Sequence, residues 1–293
     1  MNIPLEYPNL LMLNMGCAHH NGNWNWKNVM SPFTRIFLVT EGKAIVIMPD
    51  GCVELTPNHL YIIPAGTLHS YECEGVFTHY YMHVYEELKN ETDLFDFYKL
   101  PTEVEATETD LVLMKTLCLQ HPEARLPGSD PTTYDNETTL DINVRRYISM
   151  PLHEKLFVRG CIMVLFSRFM TTAQPRNWTY DKRLTRVMQH ISNNIYSDIS
   201  IDELADVACV TKHYLIKIFK RSFGLSPLKY INRKKMERAQ LMLITDKCSV
   251  KEISFALGYS SPTYFCRLFR QIIRTLTARL QGRTVVHGRA TAT

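Results

Sequence analysis

A segment beginning at Ser200 occurs again at Ser249, and this internal repeat restricts the fold more than any other feature of the chain. The first copy reads Ser200-Ile-Asp-Glu-Leu-Ala-Asp-Val-Ala-Cys-Val-Thr-Lys-His-Tyr-Leu-Ile-Lys-Ile-Phe-Lys220. The second reads Ser249-Val-Lys-Glu-Ile-Ser-Phe-Ala-Leu-Gly-Tyr-Ser-Ser-Pro-Thr-Tyr-Phe-Cys-Arg-Leu-Phe-Arg270. The offset is 49 residues before the central turn and 50 after it, so the second turn is one residue longer.

Both copies announce a helix in the same way. Ser200 precedes Glu203, and Ser249 precedes Glu252, by the spacing of a capping box. The serine oxygen accepts from an unpaired N–H of the first turn, and the glutamate reaches back to the serine N–H. Ile201, Leu204 and Ala208 then follow at core-facing spacing, as do Val250, Ile253 and Ala256. Gly258 suits a tight turn with positive φ. Cys209 stands at the matching position with a side chain, which predicts a differently built first turn. Thr211 and Ser261 are the expected N-caps of a second helix in each copy, with Pro262 at the first helical position. Leu215, Ile218 and Phe219 face inward in one such helix, and Phe265, Leu268 and Phe269 in the other. Lys212, His213, Ile216, Lys217 and Lys220 remain outward, as do Thr263, Cys266, Arg267 and Arg270. A short capped helix with a basic outer face, laid across a preceding helix, fits a DNA major groove.

The charge distribution agrees. The net charge of +4 hides a division between 13 basic and 21 acidic residues through Asn177, a net of −8, and 20 against 8 thereafter, a net of +12. A polyanion partner is expected for the second part only.

Ala256-Leu-Gly-Tyr-Ser-Ser-Pro-Thr-Tyr-Phe-Cys-Arg-Leu-Phe-Arg270 closely resembles the signature of the AraC/XylS family of bacterial transcription regulators. Phe223-Gly-Leu-Ser-Pro-Leu-Lys-Tyr-Ile231 and Arg233-Lys-Lys-Met-Glu-Arg-Ala-Gln-Leu-Met-Leu243 are similar to the segments that join the family's two motifs. The resemblance covers about Asp181 to Arg270. It implies two recognition helices entering successive major-groove segments on one face of double-stranded DNA. By position it implies base contacts from Lys212, His213, Ile216, Lys217, Thr263 and Arg267, and phosphate contacts from Lys220, Arg221 and Arg270. Ile216 would contribute only apolar contact, for example with a thymine methyl. RNA polymerase is a further partner if such a regulator activates. The stretch from Ser226-Pro227 to about Ile244 reads as one connecting helix without internal glycine or proline. One departure follows Arg270. The family closes its second motif with Gly-x-Ser/Thr-Pro-x-x-aromatic, whereas here a substitute helix to about Leu280 and a disordered tail are expected.

The front half reads differently. Arg35-Ile-Phe-Leu-Val-Thr40 and Lys43-Ala-Ile-Val-Ile-Met48 are strand-like, and turn signals such as Glu41-Gly42 and Pro64-Ala-Gly66 separate such runs. Leu55-Thr-Pro-Asn-His-Leu-Tyr-Ile-Ile-Pro-Ala-Gly-Thr-Leu-His-Ser-Tyr71 resembles the second motif of a cupin barrel, although Asn58 and Cys73 stand where that motif has Gly and Asn. The first cupin motif's His-x-His has no counterpart near Gly42 to Val53. His69, the His19-His20 pair, and His79 with His83 do not make three or four convergent ligands, so no metal or cofactor is expected. No G-x-S-x-G nucleophile motif occurs, and an enzyme is not expected. A small-molecule sensor fits better, because barrel mouths hold ligands with apolar walls and a few polar groups. Candidate ligand-binding residues are His19, His20, Trp24, Trp26, Arg35 and His69. In sugar-sensing members of the resembled family, an N-terminal arm and barrel enclose a sugar, which makes a sugar one effector class. Two alternatives stay open: a metal-dependent cupin enzyme fused to a DNA-binding module, and a constitutive DNA-binding protein whose barrel only dimerises.

The expected fold is therefore α+β and multidomain, with a cupin-like antiparallel β-barrel and trailing helices followed by an all-α double helix-turn-helix domain. The expected divisions are a barrel at 1–92, a helical extension at 93–172, a linker at 173–180, the DNA-binding domain at 181–280 and a tail at 281–293. Leu111 to Leu119 and Leu156 to Met170 carry helical spacing, with a loop from His121 to Asn136 between them. Val158, Ile162, Leu165, Phe166 and Phe169 offer more apolar surface than one barrel face needs, which predicts a homodimer through 155–170. None of the eight cysteines forms a C-x-x-C pair, as expected for free thiols in a reducing compartment. Met1 to Met15 lacks the basic start of a secretory signal, and the longest wholly apolar stretch, Cys161 to Phe166, is too short to span a bilayer. A cytoplasmic protein without membrane contact is expected.

Overall fold

The computed structural model describes residues 10–31, 33–48, 51–86, 98–135, 137–176, 181–245 and 248–270. The chain divides into two compact units between Arg176 and Asn177. Residues 177–180 of the expected linker, and the expected helix and tail after Arg270, lie outside the described residues.

The strands of the first unit are β1 (Leu10–Asn21), β2 (Trp26–Val29), β3 (Thr34–Gly42), β4 (Ala44–Met48), β5 (Gly51–Leu55), β6 (His59–Ile63), β7 (His69–Glu72), β8 (Val76–Glu86), β9 (Tyr98–Lys99), β10 (Glu103–Glu105) and β11 (Gln174–Pro175). One antiparallel sheet has the order β1-β8-β3-β6-β10, and a second has the order β2-β7-β4-β5. No strand pair joins these two sheets among the described residues, so they form an open two-sheet structure and not the closed barrel expected from the sequence. The smaller sheet ends in strands of four and five residues, β2 and β5, neither of which finds a ladder partner in the larger sheet.

The run Arg35-Ile-Phe-Leu-Val39 lacks the alternation of a half-exposed strand because both of its faces are covered. Phe37 and Val39 join the core between the sheets, where Val46, Leu55, Tyr61, Tyr71 and Phe77 also lie. Ile36 and Leu38 turn to the opposite face, against helices. Those helices are α1 (Glu108–Gln120), α2 (Pro131–Tyr134), α3 (Glu137–Ser149) and α4 (Leu152–Met170). A short 3-10 turn at Pro122–Ala124 and α2 occupy the expected loop, and α3 had no clear signal in the sequence. Met114 of α1, Tyr147 of α3 and the buried face of α4 share one core with the sheet. Strand β10, beyond residue 92, pairs with β6, so the regions drawn as 1–92 and 93–172 fold as one unit.

This packing corrects the expected dimer surface. Val158, Ile162, Leu165, Phe166 and Phe169 are all at most 4 % exposed and belong to the core of their own unit. The apolar surface that looked surplus for one barrel face is consumed by the outer face of the larger sheet. The exposed large apolar residues of α4 are Leu152, Leu156, Phe157 and Val164.

The second unit contains α5 (Lys182–Asn193), α6 (Ile201–Ala208), α7 (Lys212–Phe223), α8 (Pro227–Thr245), α9 (Val250–Ala256) and a helix α10 at 262–270. Both capping boxes form, at Ser200 with Glu203 and at Ser249 with Glu252. Thr211 and Ser261 accept from the N–H groups of Tyr214 and Tyr264 at 3.3 and 3.2 Å. The two turns are more alike than their sequences: Cys209 has φ 53° and Gly258 φ 73°, both left-handed. Cys209 is exposed, so its side chain finds room at the cost a non-glycine residue incurs there. The inward set of α9 also differs from the sequence reading. Ile253, Ser254 and Leu257 are buried, whereas Val250 and Ala256 are exposed. These buried positions match Leu204, Ala205 and Ala208 at the constant offset of 49.

Candidate functional site

The second unit presents two helix-turn-helix motifs, α6 with α7 and α9 with α10. Leu215, Ile218 and Phe219 anchor α7, and Phe265 anchors α10 with half-buried Leu268 and Phe269. The periodicity leaves Lys212, His213, Lys217, Lys220 and Arg221 exposed on α7, with Ile216 half-buried. Thr263, Arg267 and Arg270 are exposed on α10. These side chains make few internal bonds. Lys212 pairs with Asp202, and the Arg267 guanidinium lies 5.5 Å from the Tyr264 ring centroid. Tyr214 and Tyr264, which the sequence reading passed over, are exposed at equivalent places on the two helices.

Helix α8 joins the motifs. Its Tyr230 packs on Phe219 and Phe223, each with centroids 5.6 Å away. Five residues on, buried Lys235 donates through Nζ to the carbonyls of Ser197 and Leu257 at 2.6 and 2.7 Å. Tyr259 Oη donates to Asn232 Oδ1 at 2.8 Å. One helix thus packs on the first motif and bonds both to the loop before it and to the turn of the second. No sequence pattern marked Lys235; it read as one more basic residue.

The first unit has a second cluster, between its sheets. Alternation along the strands sends His20, Arg35, His69, Tyr71, His79 and His83 into this layer, all nearly fully buried. Of the six candidate ligand-binding residues, His20, Trp24, Arg35 and His69 meet here. Trp26 is half-buried at the margin, and His19 is exposed, bonded to Thr78 Oγ1 at 3.1 Å. Trp24 stacks on Tyr71, His20 and Phe77 at 4.1, 5.3 and 5.3 Å. Arg35 Nη2 donates to Ser31 Oγ at 2.5 Å and to Asp135 Oδ2 at 3.1 Å. Ser31 Oγ donates to the same carboxylate oxygen.

Burial sets the charge states. It pushes His69 down to about 3, helped by the nearby Arg35 charge. It also depresses His20, His79 and His83, so all four imidazoles are neutral near pH 7. Burial works against the Arg35 charge too, but Tyr71 and Asp135 outweigh it and leave its pKa above the ordinary value. The Asp135 carboxyl is raised, because burial exceeds the help from Arg35. Sequence reasoning missed Ser31, Tyr134 and Asp135: the last two are about 100 residues from Arg35 and carry no local motif. Among the described residues, no group of three or more His, Cys, Asp or Glu is placed to hold a metal ion. No helix among them is long and apolar enough to cross a membrane.

The second unit is thus a double helix-turn-helix module. A family model described as a helix-turn-helix domain matches residues 204–282. This C-terminal module is of the AraC/XylS type. The chain is 27 % identical over 92 residues to the regulatory protein PocR of Salmonella typhimurium, covering 31 % of this chain and 30 % of that protein. It is 30 % identical over 95 residues to the xylose operon regulatory protein of Escherichia coli K12, covering 32 % and 24 %. Among solved structures, a transcriptional regulator with an AraC-type DNA-binding domain from Chromobacterium violaceum is 26 % identical, with a TM-score of 0.31 over 36 % of this chain and 98 % of that one. The match spans about a third of the length of the curated relatives.

Proposed function

We propose that the protein is a sequence-specific transcription regulator whose DNA binding is controlled by a small molecule held between the sheets of the first unit. The observation that carries this reading is the pair of capped helices, α7 and α10, with exposed basic faces and a single connecting helix packed on the first motif and bonded to the turn of the second. Lys212, His213, Ile216, Lys217, Thr263 and Arg267 are the proposed base-contacting residues, and Lys220, Arg221 and Arg270 the phosphate contacts. Base edges in the major groove supply sequence information, while phosphate contacts set register and give the salt dependence. We read the protein as a regulator and not an enzyme, with RNA polymerase as a further partner if it activates.

The 19 residues of α8 span about 28 Å at the helical rise. A connector of that kind favours two major-groove segments about one DNA turn apart on one face. The names of the relatives support a metabolite as effector, since they include a xylose operon regulatory protein and a lactose operon transcription activator. The buried polar groups between the sheets support the location.

Footprinting on the natural operator tests the DNA half of the proposal. Two protected segments per protomer are expected on one face, and inserting five base pairs between them should abolish tight binding. Unchanged affinity after the insertion would rule out a rigid two-motif reader.

A further inference from the structure

Arg35 sits in an unusual position for a charged residue. It is 1 % exposed, on an inward face of a central strand. Burying a guanidinium is costly unless it is paired and its donors are satisfied. The Tyr134 hydroxyl accepts from it, but its pairing with Asp135 is only half made. Nη2 alone reaches Asp135, and both Nη2 and Ser31 converge on the single oxygen Oδ2. Arg35 Nε and Asp135 Oδ1 have no hydrogen-bond partner among the described residues. A guanidinium and a carboxylate can form two parallel bonds, and this pair does not.

The surrounding groups are also incomplete. The Nδ1 atoms of His79 and His83 are buried without partners, though both rings face the same interior. Phe33 stacks on His83 at 4.6 Å, and its centroid lies 4.8 Å from the Arg35 guanidinium. Against this wall the segment ending α2 delivers two groups from adjacent residues. Tyr134 sets its ring 5.3 Å from His83, and Asp135 sets its carboxylate on Arg35. The strands supply the cation and the imidazoles, and Phe33, just before β3, the ring wall; a four-residue helix and the residue after it supply a phenol ring and an anion.

We propose that Arg35 anchors a binding site for a small ring-bearing carboxylate, and that Tyr134 and Asp135 are its built-in occupants, displaced when the ligand binds. This rests on reading the first unit as the sensor. The ligand presents both carboxylate oxygens to Arg35, engaging Nε as well as Nη2. Its ring takes the place of Tyr134 beside His83 and Phe33. Ring hydroxyls match the neutral imidazoles, each of which offers one donor and one acceptor. Asp135 is a replaceable resident because burial already opposes its charge. Its departure releases the segment that leads from α2 into α3, which gives binding a structural consequence within the unit.

The test uses the full-length protein and a defined panel: benzoate, 3-hydroxybenzoate and glucuronate, with benzamide and glucose as neutral counterparts. Thermal shift and calorimetry should show at least one carboxylate binding at millimolar or lower concentration and its neutral counterpart not binding. Asp135→Asn keeps the shape of the resident but removes its charge, and should tighten carboxylate binding at least tenfold. Arg35→Leu should abolish it. If Arg35→Leu fails to fold, a second variant decides: millimolar benzoate should raise the melting temperature of Asp135→Ala more than that of the wild type. The proposal is overturned if no carboxylate binds Asp135→Asn more tightly than the wild type, or if benzamide binds as well as benzoate. Stabilisation by glucose with none by any carboxylate would overturn it while leaving the sensor reading intact. Operator footprinting, which needs no effector site, reports separately on the DNA-binding half.

Discussion

Lys235 Nζ lies 2.7 Å from the Leu257 carbonyl oxygen and 2.6 Å from that of Ser197, so one ammonium ties the connecting helix to the turn of the second motif and to the loop before the first. Its stem lies beside Tyr259, with Nζ 4.9 Å from the ring centroid. A charge-assisted bond to each of two carbonyls is stronger than a neutral one, and removing it leaves both acceptors unpaired. Lys235→Met should destabilise the second unit by about 2–4 kcal/mol. It should also reduce operator affinity more than affinity for random DNA. Chemical denaturation and parallel binding curves check both, and equal losses on the two DNAs would leave Lys235 with only a stabilising role.

Gly258 reports on the same junction. Its φ is 73°, and an added Cβ would fall 2.5 Å from the Ser197 carbonyl carbon and 2.7 Å from the Asp198 nitrogen. Backbone cannot yield as a side-chain tip can. Gly258→Ala should cost about 2–4 kcal/mol, combining left-handed strain with overpacking. Cys209→Gly, at the equivalent turn, should be neutral or stabilising, since it relieves the strain without opening a core. Thermal melts of the two variants should move in opposite directions or differ by several degrees.

Arg267→Ala should lower affinity at the cognate operator by about 1–3 kcal/mol and relax base preference at one position. Lys220→Ala should weaken all sequences alike and make the salt dependence shallower by about one unit. Lys217→Ala is expected to be costlier than Arg267→Ala, because α7 is the better buried of the two recognition helices. Titrations at several salt concentrations on specific and scrambled DNA separate these roles.

The first unit should lose stability in acid. His69 is held down to about 3, and His20, His79 and His83 are also depressed, all chiefly by burial. An unfolded chain protonates its histidines from about pH 6.5 downward, while the folded unit leaves these neutral. The unfolded state therefore binds more protons, and stability falls as pH drops below about 6.5, by up to about 1.4 kcal/mol per pH unit for each histidine that stays neutral, the His69 share lasting until about pH 3. Asp135 acts in the opposite sense near the carboxylate range, because its folded carboxyl is raised. It is one group against four. Denaturant melts between pH 7 and 4 should show the decline, and His69→Gln should flatten it by about one proton.

Leu165→Ala and Phe169→Ala should each destabilise the first unit by about 3–5 kcal/mol, since both side chains are fully buried in its core. A surface role in association would instead leave the melting temperature unchanged and alter sedimentation.

The sequence by itself determined those features whose physics is local. Ser200, Ser249, Thr211 and Ser261 cap helices through bonds to residues three positions away, so their spacing is readable in one dimension. The inward face of α7 and the continuous run from Arg35 to Val39 follow from helical and strand periodicity in the same way. Tertiary structure decided whatever depended on a partner remote in the chain. An apolar stripe such as that of Leu165 and Phe169 looks the same whether its cover is a sheet of the same unit or another molecule. Whether two sheets close into a barrel depends on where their edge strands end. Nothing near Cys209 announced that its exposed side chain would tolerate a left-handed turn, and nothing near Lys235 announced two carbonyls. Arg35 was visible as a candidate, but Asp135, its partner, lies 100 residues away on a segment with no periodic signal, and only the folding of that segment against the sheet brought carboxylate to guanidinium.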